Sequence, residues 1–186
     1  REFKAGMAEI IKYGVISDLN LFELLENQNN ISNVSNIEEK LLIEIIERSA
    51  RSKAEIVIKD EKESGIRAFL NYGHTFGHVI ENLCGYGKWL HGEAVAMGMV
   101  AVGQLAIQRG LWKEIDAKRQ KQLIEKAGLP TKWPELELMS VISSLQGDKK
   151  VKDGKISFVM PTKIGGVKIF NNISNQEIKE CLRKLN

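Results

Sequence analysis

All three histidines of the chain, His74, His78 and His91, fall inside one short window. His74 and His78 stand four residues apart and would share one face of a helix. His91 follows across a glycine-rich turn that can fold it back beside them. A catalytic zinc site takes imidazole and carboxylate ligands and keeps one position open for substrate. The spacing alone fits core or capping histidines equally well. Arg67 and Asn71 precede His74 at helical intervals, so one face reads Arg, Asn, His, His. That face is too polar to bury without a ligand. The segment AGMAEIIKYG contributes Glu9 and Lys12. These two read either as an exposed ion pair one turn apart or, with Glu9 as a third ligand, as part of a two-histidine, one-carboxylate metal site.

The elements that must position these groups follow from hydrophobic periodicity. Residues 4–17 place Met7, Ile10, Ile11 and Val15 on one helical face, and a short helix follows over 19–26. The polar stretch NQNNISNVSN reads as a surface loop. Asn36 is then suited to cap a helix over 37–62, with Leu41, Leu42, Ile45, Ile46, Ala50, Ala54 and Val57 inward. RAFLNYGHTFGHVIENLCGYG reads as one further helix ending at glycines. The next, 91–109, is rich in Gly and Ala, which predicts close approach of neighbouring backbones. Helices are expected again over 113–127, 136–146 and 175–185. KISFVM and GVKIF, joined through Gly165 and Gly166, read as an antiparallel hairpin. The expected fold is mainly α, a single multi-helical domain over 1–186 with one small β-hairpin near the C-terminus.

Composition narrows the classes of function. The chain has 186 residues, 43% hydrophobic and 27% charged, ordinary for a globular protein. A net charge of +3, from 27 basic and 24 acidic residues, is too small for a nucleic-acid binder. The longest apolar run, 94–107, is shorter than the ~20 residues that span a bilayer, so no membrane partner is expected. Cys84 and Cys181 are far apart and read as reduced thiols of a cytoplasmic protein. The chain opens at Arg1 inside an amphipathic pattern, which reads as the continuation of a preceding segment.

Three strings, REFKAGMAEIIKYGVISD, DEKESGIRAFLNYGHTFGHVIE and GYGKWLHGEAVAMGM, closely resemble the C-terminal domain of the 3-dehydroquinate synthase family. The later GDKKVKDGKISFVMP fits as well, so the resemblance spans nearly the whole chain. It implies a zinc- and NAD-dependent carbon–oxygen lyase of the shikimate pathway, with Co2+ as an alternative ion. It also implies a sugar acid phosphate as substrate. Carried over by motif, the resemblance makes Glu9, His74 and His91 the metal ligands and His78 a substrate-binding, proton-moving group. Lys12, Lys53, Arg67 and Asn71 become substrate contacts, and so does one lysine of the DKK motif, Lys149 in preference to Lys150. For Lys53 a densely charged helix is a competing explanation, and for Lys149 a solvated basic loop.

No glycine-rich strand-to-helix fingerprint for a dinucleotide occurs in the sequence, so no residue here is assigned to NAD. The resemblance places that cofactor mainly on an N-terminal domain, without which this chain is expected to be inactive. Family members also often form dimers. Two other readings stand beside this one: a related sugar-phosphate cyclase or a more distant metal-dependent polyol dehydrogenase, and a non-catalytic helical interaction module.

Overall fold

The computed structural model describes residues 1–60, 65–85, 87–147 and 156–185. Its elements are α1 (Glu2–Ile16), α2 (Leu19–Glu26), α3 (Glu39–Lys59), α4 (His74–Cys84), α5 (His91–Gln108), α6 (Glu114–Lys126), α7 (Leu138–Gly147), the strands β1 (Phe158–Lys163) and β2 (Gly166–Phe170), and α8 (Asn175–Arg183). The fold is mainly α with one antiparallel hairpin, as the sequence predicts.

Helix α5 is the hub. Twelve of its residues are buried, from Gly92 to Ala106, and α1, α4, α6, α8 and β1 all pack on it. The small side chains make this possible. A Cβ at Gly92 would overlap the carbonyl oxygen of Ala5 in α1, and one at Gly98 would overlap that of Gly73. Backbones therefore touch where α1 and the start of α4 cross α5, which fixes three chemistry-bearing elements against one another.

Both ends of the connection into α4 are anchored. Asp60, itself buried, accepts hydrogen bonds from the backbone N–H of Gly65 (2.7 Å) and Arg67 (2.9 Å). The chain then runs through a 3-10 turn, Ile66–Asn71, and not the continuous helix expected from Arg67 onward. Gly73, at φ +80, breaks that continuity, because its left-handed conformation reverses the chain and lays α4 onto α5. Arg67 and Asn71 therefore do not share a helix face with His74 and His78.

Helix α3 differs from expectation in two ways. It begins at Glu39 with Glu38 at the cap position, while Asn33, not Asn36, caps a 3-10 turn at Val34–Asn36. Its buried residues are Ile45, Ser52 and Ile56, whereas Ile46 is 56% exposed, Ala50 and Ala54 are exposed, and Leu41, Leu42 and Val57 are half-buried. The helix packs mainly on α1 and the 3-10 turn before α4, so only a narrow stripe is covered. Among the described residues no helix is long and apolar enough to cross a membrane.

Candidate metal centre

Three elements bring their side chains to one point: α1 supplies Glu9, the first residue of α4 is His74, and the first residue of α5 is His91. One ligand atom from each lies within 4.8 Å of the other two. His74 Nε2 is 3.3 Å from His91 Nε2 and 3.7 Å from Glu9 Oε1. Tetrahedral zinc with bonds of about 2.0–2.2 Å holds its ligand atoms roughly 3.3–3.6 Å apart. The observed separations fall on that scale.

The protonation pattern points the same way. His74 Nδ1 lies 3.1 Å from the Tyr72 carbonyl oxygen, and His91 Nδ1 lies 3.0 Å from Glu81 Oε1. With each Nδ1–H donating to its oxygen, both Nε2 atoms turn a lone pair toward the shared point. Two lone pairs at 3.3 Å repel unless a cation or proton lies between them. Burial, followed by the nearby Lys12 ammonium, lowers His74 to about 4, so its ring is neutral at pH 7. A neutral imidazole is the form that binds metal.

Glu9 completes the set. Its Oε2 accepts a hydrogen bond from Lys12 Nζ at 2.5 Å, whereas its Oε1 is buried with no hydrogen-bond partner. A buried carboxylate oxygen without a donor is costly and calls for a ligand. Oxygen from Glu9 and nitrogen from two histidines form a donor set well suited to zinc. The residues therefore fit a divalent ion.

Of the other predicted groups, His78 and Lys12 stand beside this point. The His78 ring centroid is 5.7 Å from that of His74 and 6.1 Å from that of His91. Lys12 is only 2% exposed, and burial lowers its pKa against the opposing pull of Glu9. Lys53, exposed on α3, is close enough to lower Lys12 further. Arg67 and Asn71 both lie in the 3-10 turn, Ile66–Asn71, that leads toward His74. Lys149 and Lys150 lie outside the described residues. Sequence reasoning missed Glu81, which meets His91, and the carbonyl of Tyr72. The signal for Glu81 was its place three residues after His78 and seven after His74, on the same face of α4.

Residues 6–151 match the family described as 3-dehydroquinate synthase C-terminal. The chain is 85% identical over 185 residues to the 3-dehydroquinate synthase of Prochlorococcus marinus (strain NATL2A), and 60% identical to that of strain MIT 9313. Each match takes in 100% of this chain and 50% of the relative. The chain thus spans about half the length of the curated relatives it matches.

Among solved structures, 2-epi-5-epi-valiolone synthase from Streptomyces hygroscopicus subsp. jinggangensis 5008, with NAD+ and Zn2+ bound, superposes with a TM-score of 0.87 at 27% identity. That match covers 98% of this chain and 51% of the other. A 2-deoxy-scyllo-inosose synthase complexed with carbaglucose-6-phosphate, NAD+ and Co2+ gives 0.80 at 26% identity, over 99% and 52% of the two chains. With a matched profile over most of its length and near relatives of one name, the chain belongs to the 3-dehydroquinate synthase C-terminal family.

Proposed function

We propose that this chain is the metal- and substrate-binding half of a 3-dehydroquinate synthase. The reaction converts 3-deoxy-arabino-heptulosonate 7-phosphate to 3-dehydroquinate and inorganic phosphate in the shikimate pathway, a carbon–oxygen lyase step in the cytoplasm. Residues 1–186 act as one helical domain, completed by an N-terminal domain that carries most of the NAD site, in an enzyme that pairs as a homodimer.

Glu9, His74 and His91 would hold Zn2+, with Co2+ as a substitute, and the ion when bound supplies Lewis acidity to substrate hydroxyls. NAD supplies a hydride acceptor that is restored within each turnover. Lys12, kept by Glu9 in a fixed place, presents a cation beside the metal ligands. Together with Lys53, Arg67 and Lys149 it suits a substrate bearing a carboxylate and a phosphate, which accept charge-assisted hydrogen bonds. Asn71 adds a neutral donor and acceptor. His78, whose ring stands beside both ligand imidazoles, is the group in this chain best placed to take or return a proton.

The observation that carries the reading is the convergence of Glu9 Oε1, His74 Nε2 and His91 Nε2, with the first of these buried and otherwise unpartnered. The test combines this chain with a separately expressed N-terminal domain, NAD and zinc, and measures phosphate release and the carbocycle formed. Release of phosphate with 3-dehydroquinate as product supports the proposal. A different ring, of the valiolone or inosose kind made by the two structural relatives, would move the chain to another cyclase.

A further inference from the structure

Glu81 belongs to a second group of potential ligands, His78, Glu81 and His91, whose ligand atoms also lie within 4.8 Å of one another. His91 is common to both groups, and the geometry decides how it is shared. Its Nε2 faces His74 Nε2 at 3.3 Å, while its Nδ1 faces Glu81 Oε1 at 3.0 Å. Loading both groups at once would require an imidazolate stripped of its proton at both nitrogens. A hydrogen bond from Nδ1–H to the carboxylate needs no such step.

Resting on the metal-site reading above, we infer that Glu81 is a positioning residue: it holds the His91 ring so that Nε2 meets the ion. The two ligand imidazoles need different support. His74 has only 13% of its side chain exposed, and the Tyr72 carbonyl within its own turn fixes its Nδ1. His91 has 49% of its side chain exposed, so packing alone leaves its ring free to turn over. Glu81, 20% exposed and projecting from the facing helix α4, supplies the missing constraint. One face of α4 thereby carries a ligand at His74, a substrate-facing group at His78 and the support of the other ligand at Glu81.

The test measures zinc affinity of the 186-residue chain by competition with a chromophoric chelator. It compares the parent with Glu81→Ala, Glu81→Gln and His78→Ala, with circular dichroism to establish folding. Zinc binding is expected to weaken about ten- to hundredfold in Glu81→Ala, with partial recovery in Glu81→Gln, whose side-chain oxygen still accepts the hydrogen bond. His78→Ala should bind zinc within about twofold of the parent. In 15N spectra of the metal-free chain, His91 should carry its proton on Nδ1 in the parent and lose that preference in Glu81→Ala. Parent-like affinity and an unchanged His91 tautomer in folded Glu81→Ala would overturn the assignment. Equal loss in His78→Ala and Glu81→Ala would overturn it too, in favour of a site built on the second group. If the parent itself took up no zinc, the metal-site reading would fall first, a result distinct from either.

Discussion

His74 Nε2 and His91 Nε2 stand 3.3 Å apart while the opposite nitrogen of each ring is engaged by an oxygen. Helices α4 and α5 hold the two rings there because their backbones meet through Gly73, Gly77 and Gly98. The proposed metal site therefore depends on glycines that carry no chemistry of their own.

Substitution at those glycines should be costly. Gly92→Ala and Gly98→Ala each place a methyl group on a neighbouring carbonyl oxygen, and each is expected to lose about 3 kcal/mol in urea denaturation. Gly6, in α1, has open space around it, so Gly6→Ala should instead stabilise by up to about 1 kcal/mol. Equal effects at all three positions would contradict the packing described.

A buried hydrogen-bond chain supports the turn that presents His74. Tyr72 Oη donates to Gln120 Oε1 at 2.6 Å, and Gln120 Nε2 donates to the Met99 carbonyl at 3.2 Å. Tyr72→Phe strands the Gln120 oxygen and should cost about 1–3 kcal/mol, read by thermal or urea unfolding. Adding Gln120→Leu removes the stranded group, so the double variant should cost less than the sum of the singles.

Acid stability should depend on Glu177. Arg109 Nε donates to it at 2.7 Å, and Ser174 N–H adds a second hydrogen bond at the start of α8. These contacts lower its carboxyl from 4.5 to about 2. A depressed pKa stabilises the fold above the ordinary value, and that contribution is lost as pH falls from 4.5 toward 2. With 28% of the side chain exposed, its size is about 1 kcal/mol. Glu177→Gln should be less stable by that amount at neutral pH, with the gap closing over this acid range. A gap that stayed the same across this range would show that the charge on Glu177 is not its source.

Much of this site was legible in residue types and spacing, and what escaped did so for physical reasons. The histidine window and the odd polarity of Glu9 and Lys12 were visible because imidazoles cluster rarely and a carboxylate among Ile and Ala stands out. The break before His74 was hidden, since a periodic pattern continues through Gly73 and only tertiary packing on α5 selects its left-handed conformation. The buried stripe of α3 was misplaced because that helix is apolar on more than one side, and Ile43, Ile46 and Ile58 remain exposed at 50%, 56% and 78%. Glu81 looked like any solvated helical glutamate; its role depends on which residue the next helix places opposite it.

In the proposed site one carboxylate and two imidazoles from three helices hold a single divalent ion. Metal content after zinc loading and gel filtration tests it most directly, in the parent chain and in Glu9→Ala, His74→Ala and His91→Ala. About one zinc per chain is expected in the parent, as a single tetrahedral site requires, with loss of that zinc in each variant. Folded variants that each retain zinc at the parent's level would contradict it.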